Sequence, residues 1–558
     1  MGANLYSERP GAVLELDLPE DRASNQLEAW QVAIARLLER LGWTHESIVV
    51  RHRPGSRFAS CFLSAPIDGL LAATEINEQA WLAAERELAA DTPDYTDVVS
   101  RLRVFVQHDR RPALAAMVAA AHARGLSVTI DDDSLTVGAG TGSWTAPVAR
   151  LPEPANVPWK SLHDVPLVLV TGSNGKTTTT RLLARMLCAA GHTVGWSCTD
   201  GVSVGNQIVA DGDYAGPAGA RRVLRDPRVT AAVLETARGG ILRRGLAVER
   251  AQAAVVTNVA DDHLGEYGIE DLRALGETKL VVAKAIPRTG RVILNADDAT
   301  LSALADTVIA PVTWFSLEGE TDTISRSVAA GADACVLHGH HLIAWHDGTR
   351  HELARAADVP ISLGGTMRFN LANALAASAA ALALRVPIDR ISHTLRTFGT
   401  DAFDNPGRSA TLTLRGARLL VDFVHNPDGW NAIAPGLAGI AGRRLVVIGQ
   451  AGDRDNRAIH ALAIAAWRFA PDVLILKEMP AYLRGRAPGE TTDLLAAEFI
   501  RLGASPNQLV RADDELAAID HVTRIARPGD LVVLAVHDDF PAAMQRLQAA
   551  GAVVGPWP

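Results

Sequence analysis

A chain of 558 residues exceeds what one hydrophobic core organises, so three or four domains are expected. Hydrophobic residues make up 48% and charged residues 21%, an ordinary folded composition that excludes a disordered chain. The net charge of −9 comes without basic blocks, and no stretch of roughly 18 apolar residues occurs, so neither nucleic acid nor a membrane is an expected partner.

Four cysteines (Cys61, Cys188, Cys198, Cys335) stand at irregular spacings that fit neither a disulfide framework nor a zinc site. The N-terminus lacks the basic start and apolar run of a signal peptide, and the cytoplasm is the expected compartment. Arginine carries almost all positive charge; the lysines are Lys160, Lys176, Lys279, Lys284 and Lys477. Codon bias explains the arginines, and against it a retained lysine points to a need for an amine.

In chain order, residues 1–145 alternate helical and strand patterns, including EAWQVAIARLLERLGW and PALAAMVAAAHARG followed by LSVTIDDDSLTVG, and predict a small α+β domain. Residues 146–164 contain a proline-rich, aperiodic stretch, APVARLPEPANVPW, which reads as a linker. From residue 165 to 404, apolar strands (VPLVLVT, HTVGWSC, VTAAVLE, AQAAVVTNVA, GRVILNA) alternate with helices, which predicts a parallel sheet covered on both faces. Ligands of such a sheet gather beyond the carboxyl ends of its strands. Residues 405–558 repeat the α/β pattern with ARLLVDFV, RRLVVIG, DVLILKE and DLVVLAV, predicting a Rossmann-like C-terminal domain.

The strongest local signal is VPLVLVTGSNGKTTTTRLLARMLCAAG. A strand ends at Thr171, Gly172, Ser173, Asn174 and Gly175 form a loop, and Lys176, Thr177 and Thr178 open a helix. Backbone amides of such a loop and the helix N-terminus cradle phosphate, the lysine reaches the terminal phosphates, and the threonine hydroxyl holds magnesium. Val170 replaces the first glycine of the full GxxxxGK[ST] pattern, so the loop is a short variant of it. Glu235 closes the strand VTAAVLE, and His263 follows the next strand in TNVADDHLGEYG; a carboxylate and an imidazole that meet at the sheet's carboxyl edge suit a second divalent cation. Asp262 is a candidate to orient His263, while Asn258 and Asp261 also read as helix cap and surface charge.

TGSNGKTTT, VLETARGGILRRGL, VVTNVADDHLG, LNADD, RFNLANALAA, NPGR, DFVHNP, GQAGDRD and KEMPAYLRGR follow in this order. With these strings the chain from about residue 166 resembles the Mur ligases and folylpolyglutamate synthetases, and among them the Mur-like part of the cyanophycin synthetases. The resemblance implies an α/β fold with a Mur-ligase-like central P-loop domain, and an ATP-dependent ligase that joins a carboxylate to an amine through an acyl phosphate. It implies phosphate binding by Lys176 and its loop, magnesium ligation by Thr177, Glu235 and His263, adenine contact by Asn370, and nucleotide contacts by Arg408 and Asp422. It also implies a carbamylated Lys279 supporting a second metal, where the bland alternative is a surface helix lysine. Amino acids or short isopeptides are the implied substrates, a basic amino acid the first amine to test, with selectivity sought in residues 197–222 and in KEMPAYLRGR.

Phe369 and Phe423 stand where many relatives carry histidine and tyrosine. AAAHARGLSVTIDDDSLTVGAGTG resembles the segment that leads into the ATP-grasp module of cyanophycin synthetases, yet the phosphate loop follows about thirty residues later, too few for that module. Two alternatives therefore stand: a ligase subunit dependent on a separate partner enzyme, and a non-catalytic ATP-binding regulatory module. A homo-oligomer is left open.

Overall fold

Why the middle of the chain forms one sheet follows from its strands: Leu167–Thr171, Ala231–Glu235 and Ala253–Val256 are buried at every position, as strands covered on both faces must be. The computed structural model describes residues 2–53, 56–261, 264–401, 403–555 and 557. Seven parallel strands run in the order Val194–Cys198, Ala231–Glu235, Leu167–Thr171, Ala253–Val256, Arg291–Asn295, Val312–Ser316 and Ala334–His338. Antiparallel strands extend both edges, Gly201–Val204 and Gln207–Asp211 on one side, His341–His346 and Thr349–Arg355 on the other. The sheet is thus mixed at its rims, where a purely parallel one is expected from sequence.

The helix Arg368–Ala383 packs beside Lys176–Ala189 on one sheet face. Alanines around most of its circumference let it lie buried from Asn373 to Leu382 without a polar stripe. Leu375 sits fully buried in this layer.

In the C-terminal sheet Leu509–Ala512, Val473–Lys477, Arg444–Ile448, Leu531–Ala535 and Ala417–Asp422 are parallel, and Ala410–Leu414 and Val553–Val554 add antiparallel strands. The N-terminal part holds two small antiparallel sheets. One, Gly11–Asp17, Phe58–Ser64 and Ile48–His52, packs under the helices Glu20–Leu41, Leu70–Leu88 and Tyr95–Asp109. The other comprises Val128–Ile130, Ser134–Val137 and Trp144–Pro147.

The last of these strands runs into the proline-rich segment read as a linker, and that segment is packed. Val148, Leu151, Val157, Trp159 and Leu162 join Leu114, Met117, Leu135 and Val137 in one apolar cluster, and Arg124 lies 4.4 Å over the Trp159 ring. Its prolines fix extended backbone while these apolar side chains fasten it. Among the described residues no helix is long and apolar enough to cross a membrane.

Leu375→Ala is expected to cost about 2–5 kcal/mol, because a close-packed layer cannot collapse onto the vacated volume. A lowered urea midpoint for the central domain checks this; an unchanged midpoint refutes the packing described.

Candidate active site

The phosphate loop is shaped by contacts that leave no room for side chains. Gly172 has φ +149° and a Cβ there would lie 1.8 Å from Thr257 Oγ1; Gly175 has φ +84° and its Cβ would lie 2.1 Å from Asn373 Oδ1. Residues 257–260 grip the loop in return: Asn258 Oδ1 accepts from the Asn174 amide at 3.0 Å, Thr257 Oγ1 donates to the Asn174 carbonyl at 2.6 Å, and Ser173 Oγ accepts from the Ala260 amide at 2.9 Å. Lys176 Nζ folds over the loop and donates to the carbonyls of Gly172 at 3.1 Å and Ser173 at 2.9 Å. An ammonium so placed, at the N-terminus of a 14-residue helix, is arranged for an anion.

Glu235 sits one strand away, its strand in parallel register with Leu167–Thr171, and is only 1% exposed. Thr177 Oγ1 donates to one of its carboxylate oxygens at 2.9 Å and Thr199 Oγ1 to the other at 3.0 Å. Burial pushes its carboxyl above the usual range, against the opposing pull of the Lys176 charge, the two hydroxyls and Arg408. A desolvated carboxylate flanked by hydroxyl oxygens is a hard-oxygen donor set, and it fits a magnesium ion. His263 and Asp262 lie outside the described residues.

The opposite wall comes from the C-terminal domain. Asp422 ends the strand Ala417–Asp422 and accepts from the Ser409 amide at 2.7 Å and from Ser409 Oγ at 3.0 Å. Burial pushes its carboxyl up, while Arg408 and the Ser409 donors hold it down. The Arg408 guanidinium lies 4.3 Å over the Phe423 ring and 3.8 Å from Asp200, whose other oxygen receives Arg181 at 3.1 Å. Phe423 is packed in turn against His425 and His537, each with ring centroids 5.3 Å away. Phe423 thus serves as a guanidinium platform, which needs no hydroxyl. Asn370, 1% exposed, donates to the Ile361 carbonyl at 2.7 Å and to Ser409 Oγ at 3.3 Å, and accepts from Asn373 at 3.2 Å. Two amides bridge the walls: Asn405 Nδ2 donates to Thr178 Oγ1 at 3.2 Å and Asn426 Nδ2 to Asn174 Oδ1 at 3.3 Å.

Between these walls lies a cleft of about 480 Å³. Ser173, Asn174, Gly175, Lys176, Thr177, Thr178, Glu235, Asn370, Arg408 and Asp422 all line it. Gly172 and Lys279 do not. Lys279 ends the helix Leu272–Lys279 and is 3% exposed, so the bland reading of a surface lysine fails on burial.

Thr199, Asp200, Arg181, Asn373 and Ser409 are site residues that sequence reasoning missed. Thr199 and Asp200 fall in the 197–222 stretch singled out for substrate selectivity, but their contacts are with Glu235 and Arg408. Of that stretch Thr199, Asp213 and Ala215 line the cleft, and of KEMPAYLRGR only Arg484 does.

Residues 170–381 match the Mur ligase middle domain, and residues 407–535 match the Mur ligase, glutamate ligase domain. The chain is 37% identical over 389 residues to the cyanophycin synthetase of Synechocystis sp. (strain PCC 6803), a match covering 70% of this chain and 44% of that protein. The chain therefore spans less than half the length of the cyanophycin synthetases it matches. It is 26% identical over 387 residues to a UDP-N-acetylmuramoyl-L-alanyl-D-glutamate–2,6-diaminopimelate ligase of Halalkalibacterium halodurans, covering 67% of this chain and 73% of that enzyme. Among solved structures, Escherichia coli FolC in complex with ADP shares the fold with a TM-score of 0.52 at 20% identity, over 69% of this chain and 90% of that one.

A carboxyl raised above its unfolded value gives a stability contribution that is full below the unfolded value and lost as pH rises through the folded one. Ligand-free Glu235→Gln is therefore expected to unfold at higher urea than the parent at about pH 8, with no such gain at about pH 4. A difference that is the same at both pH values would refute the assigned burial of charge.

Proposed function

The chain belongs to the Mur ligase family through its middle and glutamate-ligase domains, and from that premise we propose that it is an ATP-dependent ligase joining the carboxylate of an amino acid or short peptide to an amine. The observation that carries this reading is the Thr177–Glu235–Thr199 cluster beside Lys176, faced across one cleft by Arg408 and Asp422. A nucleotide switch also uses a carboxylate beside its loop threonine to hold magnesium, so it is the second domain, whose Arg408 and Asp422 line the same cleft, that favours the ligase.

In the proposed reaction the substrate carboxylate attacks the γ-phosphorus of ATP, a new acyl C–O–P link forms, and the bond to ADP breaks. The amine then attacks the acyl carbon, its proton is lost, and phosphate leaves with the bonding electrons. Lys176 and the loop amides stabilise the charge on the transferring group, and they do so best where water is excluded. Thr177 and Glu235 would hold magnesium, which when bound neutralises phosphate charge. Asn370, Arg408 and Asp422 orient the nucleotide; Asn405 and Asn426 hold the C-terminal domain over the cleft and keep water from the acyl phosphate. Carbamylation of Lys279 remains part of the proposal.

Asp213, Asp428 and Asp453 line the same cleft, with Arg454 and Arg484. Asp453 and Arg484 pair with each other; the carboxylates along the cleft suit a cationic amine, which supports a basic amino acid as nucleophile. A second reading is a ligase that works with a separate partner, favoured by the short segment between the strand Trp144–Pro147 and the phosphate loop.

The test is ADP release by purified protein against a panel of amino acids and dipeptides, with mass spectrometry of the products. Amine-dependent release that falls by roughly 10²-fold or more in a folded Lys176→Ala variant is expected. Nucleotide binding with no amine-dependent turnover, alone or with added cell extract, would overturn the ligase reading.

A further inference from the structure

The loops that leave the central sheet beside the cleft are fastened to the N-terminal part of the chain. After Glu235, Leu246 exchanges backbone hydrogen bonds with the first residues: its carbonyl accepts from the Gly2 amide at 2.9 Å and its amide donates to the Ala3 carbonyl at 2.8 Å. After Val256, the chain grips the phosphate loop with residues 257–260 and then meets the strands Ile48–His52 and Phe58–Ser64.

Three polar contacts join that hairpin to residues 270–277. Ser56, 5% exposed, donates its hydroxyl to Glu270 at 2.7 Å. Arg51 Nη2 donates to Glu277 at 2.8 Å. Arg53 pairs with Asp271, the residue whose other oxygen caps the helix Leu272–Lys279 through the Ala274 amide at 2.7 Å. Gly268 packs directly on the hairpin, since a Cβ there would stand 3.3 Å from Phe58 Cβ. From the other side Arg238, three residues beyond Glu235, pairs with Glu266.

Exposed ion pairs contribute little one at a time, but here they share a target with a buried hydroxyl and a glycine-sized contact. We propose that the paired strands Ile48–His52 and Phe58–Ser64, with Ser56 and Arg53 between them, brace residues 264–279, and that Arg51, Arg53 and Ser56 are positioning residues for the helix that ends at Lys279. The catalytic consequence rests on the ligase reading; the mechanical one does not. Removing the brace loosens the segment without touching the phosphate loop itself. ADP binding therefore stays while turnover falls.

The experiment compares the full chain with Arg51→Ala/Ser56→Ala, Arg51→Lys and Arg57→Ala. Arg57 pairs with Asp17 inside the N-terminal domain and serves as the control. Hydrogen exchange followed by mass spectrometry is expected to be about tenfold faster over residues 264–279 in the double variant and unchanged over 176–189. Calorimetric ADP affinity should stay within about twofold while kcat falls about tenfold, and Arg51→Lys should retain most of the activity. If the double variant does not fold, Ser56→Ala alone carries the comparison. Unchanged exchange over 264–279, the same acceleration in Arg57→Ala, or a joint fall in ADP affinity would each overturn the brace. An active Lys176→Ala would instead overturn the ligase reading, so the two failures are separable.

Discussion

A carboxylate kept out of water at the carboxyl end of a buried strand is the constraint around which the site is arranged. Among the described residues Glu235 forms no salt bridge; its oxygens receive two threonine hydroxyls, and Lys176 and Arg408 act on it at longer range. Such a group is costly in the free protein and becomes favourable when a cation arrives to balance it. The glycines at 172 and 175 answer the same demand from the other side, because the phosphate loop must approach Thr257 and Asn373 too closely for any Cβ. Binding energy for a charged ligand is thus stored as unsatisfied electrostatics in a rigid frame.

The bridge between the two walls is built differently. Its direct links to the phosphate loop and its helix are side-chain amides, Asn405 to Thr178 and Asn426 to Asn174. Neutral hydrogen bonds of this kind contribute about 1 kcal/mol each, which is enough to bias closure and too little to prevent opening. The charged partner, Asp200 at 3.8 Å from Arg408, is shared with Arg181, so its hold on the C-terminal wall is divided. On the proposed ligase reading, a cleft that admits two substrates besides ATP needs that balance.

What the sequence made legible was local. The buried strands, the glycine loop and the helix it opens are written in consecutive residues, and apolar runs with the loop pattern place them without reference to the rest of the chain. The four antiparallel rim strands were not legible: Gln207–Asp211 and Thr349–Arg355, for example, are largely exposed and carry polar residues that read as loop. The proline-rich 146–164 segment misleads for a related reason, since its apolar residues pack at irregular intervals that match no helical or strand period. Thr199 meets Glu235 because parallel strands set distant loops side by side, and Asp200 meets Arg408 because the C-terminal part closes on that edge. No spacing rule announces such a contact.

Composition carried more than periodicity in one respect. In an arginine-biased chain the five lysines are a short roster, and three of them occupy places where a guanidinium would not serve. Lys176 folds its ammonium onto two loop carbonyls, Lys279 is 3% exposed, and Lys477 is fully buried against Glu515. Glu515 in turn accepts from the His537 amide at 2.6 Å, and the His537 ring supports Phe423, the platform under Arg408. A compact point charge fits such enclosed sites, whereas the planar five-donor fork of arginine would leave donors unpaired in a volume with no water to satisfy them. Lys477 therefore stands behind the wall of the cleft, joined to Arg408 through Glu515, His537 and Phe423.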